Sequence, residues 1–354
     1  MITIDGSLGE GGGQVLRSSL TLSILTHQPI HLTHIRAGRA KPGLQPQHLQ
    51  AVKAAAAVCA GSFEGGQAGS QTLRFWPGEV RPGRYTFEIG TAGATSLVLQ
   101  TIFLPLTFAD GDSTVTIRGG THVPWSPSFH YLDWQWLPHL RQMGCAASLQ
   151  LTQAGFYPRG GGEIKAVIQP AGPLKSWVSL ERGMLQRISG LSAVANLDES
   201  IAQRQKLQAL RRLEPICQMS KIRSETLPSP GKGTTIILLA ELERARLCAS
   251  ALGEPGKRAE RVADEAAEAL ERSLNSSATV DEHLADQLLL PLALAAGRSQ
   301  FCTPRVTQHL LTNAAIIRQF LPVQIDIRGE SGQEGIISVS SLSPSNESLY
   351  DSTS

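Results

Sequence analysis

The cysteines of this sequence offer no pairing: Cys59, Cys145, Cys217, Cys248 and Cys302 are scattered, odd in number and without a CxxC spacing. That excludes a disulfide framework and a zinc site as organising devices. No apolar run reaches membrane-spanning length, and Met1-Ile-Thr-Ile-Asp-Gly reads as a strand in place of a basic, apolar leader. The expectation is a cytoplasmic protein with reduced thiols and no membrane partner. An excess of one charge is also missing: 32 Lys and Arg against 30 Asp and Glu leave +2. Such a balance does not suit a protein that coats long nucleic acid, but it leaves room for a local anion site. The common phosphate patterns are absent too. The stretch 6–14, GSLGEGGGQ, has neither the Lys-Ser/Thr pair of a Walker loop nor GxGxxG, and 229–235, SPGKGTT, has misplaced glycines. His122, His130 and His139 lack metal-ligand spacing and read as surface or packing residues.

What is there is a repeated grammar. At 354 residues and 41% hydrophobic content, the chain can bury a large core and form two domains. A strand at 1–5, a helix at 14–25, a strand at 30–35, an Ala-rich helix at 45–60 and a strand at 72–76 form one pass. The order recurs with a strand at 85–89, an apolar helix at 95–107, a strand at 113–118, a long helix at 126–143 and strands at 146–150 and 163–169. A third pass runs from Ala278, with helices at 281–296 and around His309, a short strand near Gln300, and strands at 323–328 and 335–340. PQHLQAVKAAAA in the first pass and TQHLLTNAAIIR in the third set His48 and His309 at equivalent points. The predicted fold class is therefore α/β: a large domain of repeated units (1–183 and 276–340), whose loops converge on a site. Charged amphipathic helices at 200–213 and 258–274 flank a strand at 234–239 and predict a smaller inserted α/β domain over 184–275. The Ser-rich segment 341–354 reads as a disordered tail.

Three places carry chemistry. Pro304 bars a helix from upstream, and Leu310, Ala314 and Ile317 recur at helical spacing, so His309 falls in the first turn of a helix. There the helix dipole disfavours imidazolium and attracts anions, leaving either a nucleophilic imidazole facing phosphate or an ordinary polar residue at a helix start. Asn313, one turn on, shares that face and is placed to orient the ring. Glu10 sits in the glycine-rich strand-to-helix loop, where it suits either a divalent metal shared with phosphate oxygens or a solvated turn. Arg17 follows on the helix, and Arg36, Arg39 and Lys41 crowd one loop that is either a phosphate clamp or a solvated surface.

Taken together, GEGGGQVLR (9–17), IRAGRAKPGLQPQHL (35–49), SLVLQT (96–101), GFYPRGGGE (155–163), HLADQ (283–287) and QHLLTNAAI (308–316) resemble the RNA 3'-terminal phosphate cyclase family. The resemblance covers the chain to about residue 340 and includes the Gly-x-x-Pro-x-Gly-Gly-Gly signature. It implies three βαβαββ units with an inserted α/β domain. It also implies an ATP-dependent conversion of an RNA 3'-phosphate into a 2',3'-cyclic phosphodiester, through a covalent AMP-histidine. His309 matches that histidine; Gln100, His283, Leu284, Ala285, Asp286 and Gln287 match nucleotide-binding positions, and Pro127 a proline beside the adenine. Glu10 matches a position near metal (Mg²⁺ or Mn²⁺) and phosphate, while Arg17, Arg36, Arg39 and Gln47 match positions that hold the RNA end or the triphosphate. The chain departs from the family at His283, where relatives often have Tyr, and at Ala154, where the signature usually begins with a basic residue. A non-catalytic RNA-binding or ribosome-assembly relative, and an enolpyruvyl transferase of related fold, are the competing readings. Oligomeric state is open, with a homodimer as one option.

Overall fold

A computed structural model describes residues 1–342. The first unit runs β1 (Ile2–Asp5), α1 (Gly13–Thr26), β2 (Ile30–Thr33), α2 (Pro46–Val58), β3 (Ser62–Glu64) and β4 (Leu73–Trp76). Its sheet order is β1-β2-β4-β3, with β1 and β2 parallel and the other neighbours antiparallel. The second unit is β5 (Arg84–Glu88), α3 (Thr95–Thr107), β6 (Ser113–Gly119), α4 (Phe129–Tyr131), a π-helical stretch Leu132–Trp136, α5 (Leu137–Gln142), β7 (Ala146–Gln153) and β8 (Gly162–Gln169). It repeats the pattern as β5-β6-β8-β7.

The third unit opens at β9 (Val178–Ser179), a hundred residues before the start expected at Ala278. A separate sheet intervenes, made of β10 (Leu185–Ala195), β11 (Ser220–Thr226), β12 (Gly233–Leu242) and β13 (Arg246–Leu252), with α6 (Glu199–Leu213) and α7 (Ala259–Leu274). The third unit resumes with α8 (Glu282–Leu294), β14 (Arg298–Thr303), α9 (Gln308–Phe320), β15 (Val323–Arg328) and β16 (Gly335–Ser341). Its order, β9-β14-β16-β15, is that of the other two. Two residues of β9 ahead of a long insert carry too little periodicity to be read from sequence. Ser341 ends β16, so the tail expected from 341 does not start there, and the rest of that expectation, 343–354, lies outside the described residues.

The strands of the units alternate buried and exposed side chains, as in β8 with Ile164, Ala166 and Ile168 turned inward. Helices fill the space between the sheets: α1 packs on α3 and α9, α2 on α3, and α8 on α9. α3 is apolar all round because it is enclosed on every side, and Gln100 is the α3 residue left out of that burial. The inserted sheet has its own core beneath α6 and α7. Its opposite face, with Leu191, Ala193, Ile237 and Leu239, packs on Tyr131, Ala154 and Phe156 of the second unit. No helix among the described residues is long and apolar enough to cross a membrane, and the five cysteines are free and buried.

Candidate functional site

His309 is the second residue of α9, whose N-cap Thr307 accepts a hydrogen bond from Leu310 N (3.1 Å). Its ring is oriented from α1 and not by Asn313. His309 Nδ1 lies 2.7 Å from Gln14 Oε1, and Gln14 Nε2 donates to Asp286 Oδ2 at 2.7 Å. Because the amide must donate to the carboxylate, its oxygen faces the ring and Nδ1 carries the proton. The other nitrogen, Nε2, points to Glu10 Oε2 at 3.1 Å, and that carboxylate also meets Arg39 Nη2 at 3.4 Å. Both ring nitrogens thus face acceptors, an arrangement met in full only by a doubly protonated ring. For Nε2 to act as a nucleophile, Glu10 must leave it or take its proton.

Asn313 serves the scaffold beneath. Its Oδ1 accepts from Ser18 Oγ (2.7 Å) and its Nδ2 donates to the Asp286 carbonyl (2.7 Å), so α1, α8 and α9 are pinned together under the histidine. The glycine-rich loop of 9–13 is explained by close approach. A Cβ on Gly9, which has φ +62°, would lie 2.0 Å from Thr312 Oγ1 of α9, and one on Gly13 would lie 2.2 Å from His48 Nε2. The loop therefore sits on α9 and brings Glu10 to His309.

Charges around this centre are shifted by burial. Asp286 is pushed up to about 6, burial outweighing the pull of His309, His283, Arg17 and the Gln14 amide. Arg17 is drawn down to about 10 by burial against the attraction of Asp286, and keeps its charge at neutral pH. His48 is held down to about 3 by burial and by Arg17 and Arg36, so it stays neutral, with Nδ1 accepting from Gln45 N (3.2 Å). Sequence spacing set His48 level with His309 but gave it no place in the site; the crowding at Gly13 brings it there.

The remaining expected residues divide. Gln47 Oε1 accepts from Ala94 N at the start of α3 (3.0 Å). Gln100 Nε2 donates to Gln287 Oε1 (2.6 Å), and Gln287 Nε2 to the His283 carbonyl (2.6 Å), across a cavity between α1, α3, α5, α8 and α9 that is floored by Leu104, Trp136 and Leu290. Leu284 and Ala285 are fully buried in the core, so any ligand contact from that turn falls to His283, Asp286 and Gln287. Arg36 folds back on its own loop, donating to the Lys41 and Gly43 carbonyls (2.6 and 3.0 Å). Pro127 is half-buried just before Ser128, the N-cap of α4. His122, His130 and His139 are all buried packing residues. Gln14 was missed, although it lies within the quoted motif of 9–17: nothing local ties it to a histidine 295 residues away.

Among the described residues, no group of three or more His, Cys, Asp or Glu could hold a metal ion. The profile of the family described as RNA 3'-terminal phosphate cyclase matches residues 8–327. The chain belongs to the RNA 3'-terminal phosphate cyclase family. Curated relatives of that name include proteins from Ralstonia nicotianae, 47% identical over 93% of this chain and 94% of theirs, and Methylococcus capsulatus, 43% identical over 96% of both. Another, from Nostoc punctiforme, is 45% identical over 97% of this chain and 99% of its own. A solved enolpyruvyl transferase, NikO from Streptomyces tendae, aligns with a TM-score of 0.28 at 11% identity over 62% of this chain and 38% of that one, too slight a likeness to bear on the cyclase fold.

Proposed function

We propose that this chain uses ATP to convert RNA 3'-phosphate ends into 2',3'-cyclic phosphodiesters, with His309 Nε2 as the nucleophile. The observation that carries the assignment is the Gln14 hydrogen bond, which puts the proton on Nδ1 and leaves Nε2 as the ring's lone-pair nitrogen once Glu10 moves away. Nε2 attacks the α-phosphorus, the bond to the β-phosphate oxygen breaks, and pyrophosphate leaves behind a phosphoramidate to AMP. An oxygen of the RNA 3'-phosphate then displaces the histidine from AMP. That activates an otherwise unreactive dianion, and the adjacent ribose 2'-OH, already held beside it, closes the ring, loses its proton and expels AMP.

Glu10, Arg17 and Arg39 surround Nε2 and Asp286 as a set suited to a triphosphate and its cation. Glu10 is a single carboxylate, which fits a hard divalent ion held mainly by substrate phosphates and water. Such an ion would neutralise charge on the leaving pyrophosphate, and Glu10 would then hold it in place of Nε2. Gln47 and Arg36 would serve the RNA end, Gln100, His283, Asp286 and Gln287 the nucleotide, and Pro127 the adenine. This reading keeps 1–183 with 276–340 as the catalytic body and 184–275 as an insert, supported by their separate cores, and takes the cytoplasm as the place of action. A purely binding role is disfavoured, since relatives 43–47% identical bear the cyclase name.

Incubation with α-labelled ATP and Mg²⁺ should leave label on the protein through an acid-labile, alkali-stable bond. RNA with a 3'-phosphate should chase it, and RNA with a 3'-hydroxyl should not. His309→Ala should take up no label; a variant that still cyclises RNA would sink the assignment.

A further inference from the structure

We propose that Trp125 and Tyr157, with Arg159 on the Tyr157 loop, form the platform that carries the RNA nucleotides preceding the 3'-phosphate. This rests on the cyclase reading and adds the path of the substrate to it. Trp125 is 99% exposed and Tyr157 70% exposed, while Trp76, Trp134, Trp136 and Trp177 are all at least partly buried. Trp125 also has φ +64°, a conformation that bulky L-residues rarely adopt. An aromatic ring held out in solvent by an unfavourable backbone points to something that covers it.

The two rings stand on a fixed base. Thr121 N and His122 N both donate to the Gly155 carbonyl (2.9 and 3.0 Å), and Gly155 N donates to Thr121 Oγ1 (2.9 Å). His122 stacks on Phe156 with ring centroids 5.2 Å apart. The loop bearing Trp125 and the signature loop bearing Tyr157 are therefore bonded side by side, with buried residues beneath them.

That base is continuous with the site. A Cβ on Gly160 would lie 2.7 Å from Ala92 Cα, and one on Gly93 would lie 2.9 Å from Gln47 Cβ. The signature loop thus touches the turn before α3, and that turn touches Gln47. Arg159, exposed and donating to the Pro230 carbonyl, supplies a cation on the same loop. Exposed aromatic faces beside a guanidinium are the chemistry that holds single-stranded nucleotides: every base has a face to stack, and every linkage a negative charge. The glycines of the signature are then what lets this loop lie flat against the turn before α3 and present Tyr157 and Arg159 outward.

The test compares Trp125→Ala/Tyr157→Ala with the wild type on a 3'-phosphorylated decanucleotide and a 3'-phosphorylated dinucleotide, and measures autoadenylylation by ATP in parallel. The expected result is a rise in KM of about 5- to 50-fold for the decanucleotide, a much smaller change for the dinucleotide, and loss confined to the RNA-dependent step. An unchanged decanucleotide KM, or equal losses on both oligonucleotides and in autoadenylylation, overturns the platform. A decanucleotide carrying 5-iodouridine upstream of its 3'-phosphate, irradiated with full-length His309→Ala protein, reads the contact without turnover. Crosslinks at Trp125 or Tyr157 support it, and crosslinks only elsewhere overturn it. Failure of the cyclase reading shows separately, as a wild type that takes up no AMP label.

Discussion

Gln14 decides which nitrogen of His309 can react. Turning its amide over would set its oxygen against the Asp286 carboxylate, so the orientation is fixed from the Asp286 end and the ring follows it. Gln14→Leu should lower the rate of autoadenylylation about 100-fold, with little change in the ATP concentration at half-saturation. The loss comes from a ring free to rotate and to exchange its proton. Single-turnover labelling across pH checks this: the variant's pH-rate profile should move as well as fall, whereas a residue that only supported the fold would lower the rate uniformly. His309 was legible from sequence because Pro304 and the apolar spacing behind it fix a helix start. The residue that orients it was not, because Asn313 is the neighbour that helical spacing offers, and in the fold Asn313 is already engaged by Ser18 and the Asp286 carbonyl.

At the scale of the element, the start of α8 is tied from several sides. Asp281, 2% exposed, accepts from His283 N and Leu284 N as a cap, and also from Tyr131 Oη (2.6 Å) and Gln135 Nε2 (2.9 Å). Gln135 lies in the π-helical stretch and donates as well to the Arg246 carbonyl of the insert (2.8 Å). The extra residue in that turn lets one helix reach both partners. Asp281→Ala should destabilise the protein by about 3 kcal/mol or more, since the cap is lost and two buried donors are orphaned. It should also weaken ATP binding, because His283 to Gln287 follow directly; denaturant melts and nucleotide titration measure the two effects. The helix expected over 126–143 starts at Phe129, since Ser128 caps it by accepting from Tyr131 N (3.2 Å). Most helices and the closing strands of the second and third units were readable because their periodicities are strong, whereas β3, three residues long, and β10 of the insert were not read. Nor was β11: SKIRSET is an edge strand whose Lys and Arg guard its open side, and that charge hides the alternation. β13, RLCASAL, is built of small residues with little pattern to see.

Across the whole molecule, buried histidines set the response to acid. His48 is held down to about 3 and His130 to about 4, and burial lowers His122 and His139 as well. The unfolded chain takes up these protons below about pH 6.5 while the folded one does not, so stability present above that pH is lost as pH falls. By pH 5, His48 and His130 should each remove about 2 kcal/mol. Asp286, pushed up to about 6, works the other way and offsets a part. Thermal melts should therefore be level near pH 7 to 8 and fall steeply from pH 6.5 to 5, with His130→Gln reducing the slope. The three-unit architecture was legible because the same strand and helix order recurs, and its third strand order became visible only with β9 in place. The position of β9 also sets a schedule for the growing chain. Its register with β14 spans 122 residues, as from Trp177 N to Ser299 Oγ, so the insert, which has a core of its own, can fold as it leaves the ribosome while this strand waits. A folded insert takes its residues out of the loop that must close, which shortens the search. Asp286 and the nucleophile, on α8 and α9, thus arrive long after the α1 residues that hold them, and a chain arrested before α9 lacks both the nucleophile and the helix that covers α1.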